Sequence, residues 1–589
     1  MTAALVIPAW IGLGLALPAL VTMRSPGFPP HDGTASAAPG GTVTISSPVI
    51  LSYGSRLWLK RGTLSLVVPA AKAASDATLP PNGTARLMLE DAVLYLGAAR
   101  LQGSDSAQDV FAPLVEALAG LKFESLTLKR VTMTLVLADG HSETLYDIKA
   151  GLVRSRKGAL TAKGEFTLRG QRLSFDLSTG LRAETREPAP LPLKLSIRAS
   201  GFGFSIDGHL NAAAGVKIDG QSEIAIADLR HAARWLGAPW PSGPGLQDIK
   251  IKGQLAWTGR TLAFDKAAFE TDRNPAAGAL IVDMTGPRPK LNGTLAFKTL
   301  DLNPYLRAEA EQSLALWSWA TFSGSDSAVP LARQIDADVR ISAERMKAGS
   351  LTFGASAATL TLNNGILFAD IAEIEWHEGH GGGQVVLNTL GPKVRTSVRG
   401  KLEDMDFAGA SLGLFGRNLL QGRGAVAADL SATGLTMPDL LRSLSGKVAL
   451  AMADGGRVGL DVKRLLDAAR IRDLDGWGRA LNDQTAVDTL DLRLQIKSGV
   501  AVCEQIEGVS ADIRFLATGA IHLADGRLDF RIVGTTAAGT ENKTEQILVR
   551  GPWAAPSVRR ESVPSQEAVP LDGADPPISR DQRTWLQRG

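Results

Sequence analysis

Apolar residues recur at every second position over much of this chain. Leu126, Leu128, Val131, Met133, Leu135 and Leu137 keep that period with one slip. Leu173, Phe175 and Leu177 alternate with Ser174, Asp176 and Ser178, and Leu193, Leu195 and Ile197 alternate with Lys194, Ser196 and Arg198. Towards the other end, Leu492, Leu494 and Ile496 alternate with Asp491, Arg493, Gln495 and Lys497. Leu528, Phe530 and Ile532 do so with Arg527, Asp529 and Arg531. Strict alternation places one strand face in an apolar environment and the other in water, the habit of antiparallel sheets. Strands joined by Gly-centred turns of the form G-x-L, as at Gly253-Gln254-Leu255 and Gly293-Thr294-Leu295, predict a long meander of hairpins.

Helical spacing is local. It is found at residues 109–119, where Pro113 fits only a first turn or a kink, and at 306–320. Residues 436–444 give the fullest signal. Thr436 caps, Pro438 suits the first turn, Leu440, Leu441 and Leu444 make the stripe, and Gly446 is expected to end the helix in the left-handed conformation. A further helix is predicted over residues 462–471. Helices this few oppose a parallel βαβ order.

Residues 3–23 (AALVIPAWIGLGLALPALVTM) form an uncharged, mostly apolar run before Arg24, long enough for the bilayer core. It reads as an uncleaved anchor, with a cleaved signal as the alternative. The basic start and small-x-small site of a signal are missing. Residues 25–41, rich in Pro, Gly, Ala and Ser, read as a linker. From about Pro552 the chain turns Pro-, Ser- and charge-rich and is expected to be a disordered tail.

Composition adds little to this picture. The 589 residues suggest several structural units, and 44% hydrophobic with 21% charged residues is the balance of a folded chain. Sixty-three basic residues face 60 acidic ones, with no basic stripe interleaved with aromatics, so nucleic acid is not an expected partner. The single cysteine, Cys503, makes neither an intramolecular disulfide nor a Cys-rich metal site.

Chemistry-bearing motifs are sparse. His377 and His380 stand in W-H-E-G-H-G-G-G, spaced three apart in a Gly run that opposes a zinc-binding helix, and read as a polar hairpin turn. Gly409, Ser411 and Gly413 spell G-x-S-x-G, but a nucleophile elbow needs a strand, turn and helix in a parallel sheet. Glu373 and Glu375 are explained by the wet face of a strand. No nucleophile, base and orienting group assemble, and neither catalysis nor a cofactor or metal is expected.

Two stretches carry a family resemblance. From about Gly253 to Leu306 the chain reads G-Q-L-A-W-T-G-R-T-L-A-F-D-K-A, then G-A-L-I-V-D-M-T-G-P-R-P-K-L-N-G-T-L-A-F-K-T-L-D-L-N-P-Y-L. From about Gly422 to Val549 it includes G-R-G-A-V-A-A-D-L-S-A-T-G, L-L-R-S-L-S-G-K-V-A-L-A-M-A-D-G and G-L-D-V-K-R-L-L. These resemble the AsmA family, the second its carboxy-terminal region. Residues 40–66 bear a looser likeness to the family's amino-terminal region. The resemblance implies an inner-membrane-anchored protein projecting into the periplasm, tied to outer-membrane biogenesis, with phospholipid or another envelope lipid and outer-membrane assembly proteins as partners.

The expected architecture is mainly β: elongated, curved antiparallel sheets, as trough or sandwich, with a few short helices and one N-terminal transmembrane helix. Its segments are an anchor (1–24), a linker (25–41), an N-terminal β region (42–305), a helical connector (306–330), a middle β region (331–421), an AsmA-like C-terminal region (422–551) and a tail (552–589). Leu291, Leu295 and Phe297 share one strand face, and Leu528, Phe530 and Ile532 another. These six are the candidate lipid-facing residues. If the apolar faces pack only on each other, a periplasmic scaffold or regulator of protein targeting to the outer membrane takes the place of a lipid-handling protein.

Overall fold

The computed structural model describes residues 42–45, 49–52, 57–67, 86–97, 124–136, 142–155, 159–180, 190–211, 217–237, 245–305, 332–349, 351–415, 417–434, 436–538 and 541–561. The expected anchor at 3–23, the linker at 25–41 and the helices at 109–119 and 306–320 lie outside them. Among the described residues no helix is long and apolar enough to cross a membrane. The structure is mainly β and separates into two compact units, Met1–Trp240 with Leu246–Gly293, and Pro241–Gly245 with Thr294–Gly589.

In the first unit β1 (Thr42–Ile45) and β2 (Val49–Ser52) both pair with β3 (Leu57–Val67), which pairs with β4 (Arg86–Gly97). β4 runs parallel to β5 (Ser125–Val136), a departure from the all-antiparallel expectation. Parallel neighbours need a crossover rather than a hairpin, and residues 98–124 supply the length. From β5 the chain meanders antiparallel through β6 (Ser142–Arg154), β7 (Leu160–Leu168), β8 (Gln171–Thr179), β9 (Leu191–Ala199) and β10 (Phe202–Asn211). It continues through β11 (Lys217–Ile226), β12 (Ile249–Thr258), β13 (Thr261–Thr271) and β14 (Asn274–Asp283). One short helix, α1 (Leu229–Trp235), interrupts it; Asp228 caps it by accepting from His231 N, and the buried Trp235 indole donates to Leu168 O.

The boundary between the units falls inside β15 (Lys290–Asp301). In the second unit β16 (Asp336–Ala348) pairs with β17 (Leu351–Phe353) and β18 (Ser356–Asn363). The ladder runs on through β19 (Ile366–Trp376), β20 (Gly379–Asn388), β21 (Val394–Asp406), β22 (Leu420–Gly434) and β23 (Ser445–Met452). Between β21 and β22 lies α2 (Phe407–Phe415), and between β22 and β23 lies α3 (Met437–Ser443). The chain then leaves the ladder for β24 (Gly456–Val458), α4 (Val462–Ile471), β25 (Leu474–Asp475) and β26 (Thr485–Val487). It rejoins β23 with β27 (Thr489–Lys497) and ends in β28 (Val500–Val509), β29 (Ile513–His522), β30 (Arg527–Ala538), β31 (Glu541–Pro552) and β32 (Ser557–Glu561).

Three local expectations are revised. The tail does not begin at Pro552: β31 ends there, and β32 pairs back on it with Val558 fully buried, so one inward side chain seats the strand. Gly446 does not close α3. It sits in β23 at φ +142°, where an added Cβ would lie 2.0 Å from Asp429 O, so its bare Cα serves a close approach between strands. The G-x-L glycines are not turns either. Gly253 lies mid-strand in β12 and Gly293 mid-strand in β15, each on the apolar side; a Cβ on Gly253 would meet Ala267 Cβ at 2.5 Å.

Such glycines bend the sheet. In the cross-strand pair Gly208–Gly220 of β10 and β11, a Cβ on Gly208 would lie 1.9 Å from Asp219 O, and one on Gly220 2.4 Å from Asp207 O. Bulges act with them. The slip read in the sequence at Leu128 to Val131 is a register shift, with Arg130 at φ +51°. Opposite it Asp91 is also left-handed, and the Arg130 guanidinium takes both carboxylates of Glu90 and Asp91, which holds Asp91 below the usual carboxylate range. Shifts recur at Phe264 to Ala267, Ile371 to Ile374, Leu402 to Met405 and Cys503 to Ile506. Each adds a local bend and twist. Gly208→Ala is therefore expected to cost about 1–3 kcal/mol by overpacking and to lower the urea midpoint. Gly151→Ala in β6, where nothing lies within 4 Å of a built Cβ, leaves the midpoint in place. Equal midpoints for the two variants would remove close strand approach as a constraint.

Candidate functional site

Register decides which side chains of the second unit share a face. Val339, Leu360, Ala369, Val385, Val398 and Leu430 are successive cross-strand partners from β16 to β22. One step along the strands, Ile341, Ala358, Ile371, Gly383, Gly400, Ala428, Val448, Leu494 and Cys503 line up from β16 to β28. A third row holds Ile374, Gly381, Leu402, Val426, Leu450, Leu492 and Ile506. No charged side chain stands in these rows. The opposite face carries the charges, paired across strands as Arg399 with Asp429 and Arg550 with Asp529.

Burial varies along this one face. Under β28 to β32 it is largely closed, with Ile506 and Ile521 half-buried. Val462, Leu465, Leu466 and Ala469 of α4 pack with Ile513, Phe515, Ala517, Val549 and Val558. Gly534 makes room for this, since a Cβ there would lie 2.4 Å from Leu466 Cδ1. Over the middle of β18 to β23 and β27 the same face is mostly half-buried: Leu360, Leu387, Leu430, Val448 and Leu494 are intermediate and Val398 is 39% exposed, while Ala369, Val394, Met452, Leu490 and Ile496 of that face are buried.

Two helices border the open strip on β22. Phe407 of α2 lies over Gly424, where a Cβ would meet its ring at 2.8 Å. At the other end Gly434 abuts Asp439 and Leu440 of α3. Between them Val426, Ala428, Leu430 and Ala432 are half-buried. At about 3.3 Å per residue and about 4.8 Å per strand, the strip is roughly 20 Å wide and, from β18 to β27, roughly 29 Å long.

The six residues singled out in the sequence are all buried: Leu291 3%, Leu295 4%, Phe297 9%, Leu528 4%, Phe530 8% and Ile532 7% exposed. Leu528, Phe530 and Ile532 belong to the cluster beneath α4, so they face protein rather than an open groove. The alternation that singled them out reports the inward face of a strand and says nothing of what covers it. The open positions, Val398 and Leu430 among them, lie in strands whose alternation is diluted by Gly and Ala.

The motif residues are placed as follows. His377 and Glu378, at φ +45° and +64°, form the two-residue turn joining β19 to β20, and the His377 ring packs edge-on against Trp376. His380 is a strand residue opposite Glu375 and Glu403. Gly409, Ser411 and Gly413 lie on α2 rather than on a strand-turn-helix, and the Ser411 hydroxyl lies 3.3 Å from Ala408 O and 3.1 Å from Leu420 O. Cys503 is free and buried in the apolar face, its sulfur 3.9 Å from Ala517 O, and burial pushes its thiol up to about 11. Among the described residues no group of His, Cys, Asp and Glu could hold a metal ion.

The raised thiol sets a prediction. At pH 8 a thiol near 11 is about 0.1% thiolate, against roughly a quarter for one near 8.5. Cys503 in the folded chain is expected to react with iodoacetamide at least a hundredfold more slowly than in urea, as followed by mass spectrometry. Equal rates would place the thiol in water. Ser411→Ala is expected to cost about 1 kcal/mol through its lost backbone contacts and to leave the function of the chain intact. A folded variant without function would return Ser411 to the list of reactive groups.

No protein-family model, curated protein or solved structure matches this chain.

Proposed function

We propose that this chain is an AsmA-like envelope protein, anchored in the inner membrane with its bulk in the periplasm, that carries the acyl chains of envelope lipids on the apolar face of its second unit. The observation that carries this reading is the uncharged, half-buried strip over β18 to β27. Its projected area, roughly 580 Å², is at the upper end of what a monomer leaves in water. Leaving half of that wet forgoes about 7 kcal/mol at about 25 cal/mol per Å², comparable with the whole stability of a domain. An occupant with no charge to desolvate and no fixed shape suits a floor of Gly, Ala, Val and Leu. Half of a bilayer's hydrocarbon core is about 15 Å deep, so an acyl chain fits within the strip. The quoted AsmA-like motifs agree in pointing to lipid and the envelope.

The test contrasts the open and closed parts of the face. Val398→Asp puts a carboxylate where water already reaches, so the protein stays folded and loses co-purifying phospholipid. Phe530→Asp buries an unpaired charge beneath α4, costs on the order of several kcal/mol and depletes the protein. Steady-state level, protease resistance and lipid mass spectrometry after gentle detergent extraction read both. Wild-type protein free of lipid would overturn the lipid reading and favour the scaffold.

A further inference from the structure

The apolar face does not stop at β27; its cover changes. Leu494 and Cys503 are direct partners across β27 and β28, yet Leu494 is half-buried and Cys503 is buried. From that border on, the protein itself fills the space above the sheet with the segment 461–482, which departs from the ladder and returns to it.

That segment is tied at both ends and in the middle. At its start Asp461 N donates to Ala480 O at 2.9 Å and the Asp461 carboxylate caps Arg464 N at 2.9 Å. Thr485 Oγ accepts from Val462 N and donates to Leu460 O, at 2.9 and 2.8 Å. After α4, Leu474 pairs with Val558 of β32, and Gly476 N donates to Pro556 O at 2.7 Å. The Trp477 indole donates to Trp553 O at 2.7 Å and packs edge-on against the Trp553 ring. Between these ties Leu466 occupies the recess left by Gly534. Backbone pairing, two indoles and a knob in a glycine recess make this a built-in cover. A helix resting on the sheet by its apolar stripe alone would have none of the flanking bonds.

We propose that residues 461–482 are a fixed stop that ends the lipid-bearing face at β28, so that an acyl chain on β18 to β27 has no passage beneath α4. This rests on the lipid reading above. It gives the face a blind end: lipid enters and leaves over the rims set by α2 and α3 or from the side of the lower-numbered strands. In its row Cys503 is the first covered position, and its apolar burial is what a wall at that point requires.

The experiment uses the full chain with leucine replaced throughout by its diazirine analogue, which is nearly the same size. The chain is illuminated with vesicles of phosphatidylethanolamine and phosphatidylglycerol that carry an alkyne at the acyl terminus. Adducts are mapped by mass spectrometry. The expected result is adducts on Leu360, Leu387, Leu430 and Leu494, and at least tenfold fewer on Leu465, Leu466 and Leu528. Comparable labelling of Leu465, Leu466 or Leu528 would overturn the stop while leaving the lipid reading standing. Absence of adducts on Leu360, Leu387, Leu430 and Leu494 would overturn the lipid reading itself, and the stop with it.

Discussion

A large sheet with one apolar face must keep that face from water, and the described residues include few helices to do it with. Every other feature follows from how the shortage is met. In the first unit, inward side chains such as Leu126, Val131, Ile148 and Leu152 gather into a buried cluster on a sheet repeatedly bent by bulges. At the carboxy-terminal end α4 covers the face outright. Within the second unit, over β18 to β27, lies a stretch that no helix closes, and its chemistry is as apolar as the rest. Burial of a sheet face is non-directional, so an acyl chain satisfies it as well as a helix does.

Bending has its own requirements. Side chains on the concave side of a bent sheet converge, and beyond some curvature a Cβ has no room. Gly208, Gly220, Gly383 and Gly424 answer that need, since a Cβ there would lie 1.9 to 2.4 Å from a backbone oxygen of the next strand. The non-Gly bulge residues Arg130, Asp147, Lys266 and Asp404 take left-handed φ at a cost on the order of 1 kcal/mol each. At Arg130 two carboxylates surround the strained residue, although so exposed a cluster contributes little to stability. Its position across two bulged strands fits a role in fixing register, since a one-residue slip would exchange the two faces.

Alternation carried most of the fold into the sequence. The period-two runs at Leu173 and Leu528 are strands β8 and β30, the slip after Leu128 is a bulge, and residues 462–471 are α4. What did not carry over has physical reasons. The glycines of G-x-L look like turns because a turn and a bend both need a missing Cβ, and only the register separates them. The parallel β4–β5 pair is set by a crossover whose two strands have the same local pattern as hairpin partners. α1 is a seven-residue helix with an Asp cap, too short for periodicity to register. For the site, the sequence marks the strongest alternations, at Leu528 and Phe530, which belong to the covered part of the face. The open strip is weakly marked because Gly381, Gly383, Gly400, Ala428 and Gly446 dilute it. The curvature that makes a groove requires those residues, and they erase the pattern by which a groove would be read.

The same reasoning separates two kinds of apolar surface that composition treats alike. A surface meant for protein gains from side chains that interlock, and beneath α4 the chain provides them: Leu466 into Gly534, the Phe515 ring over Gly508, and Trp477 against Trp553. A surface meant for a flexible hydrocarbon gains nothing from interlocking, because its partner has no fixed shape to match. The rows from Leu360 to Leu494 offer a floor of small and branched residues with no charge, the Thr396 hydroxyl standing at its edge between Leu387 and Ala432. One sheet thus carries a jigsaw at its end and a featureless floor in its middle. Along the row through Leu494 and Cys503 the change falls within a single pair of hydrogen-bonded strands, Leu494 itself packing against the edge of the buried cluster.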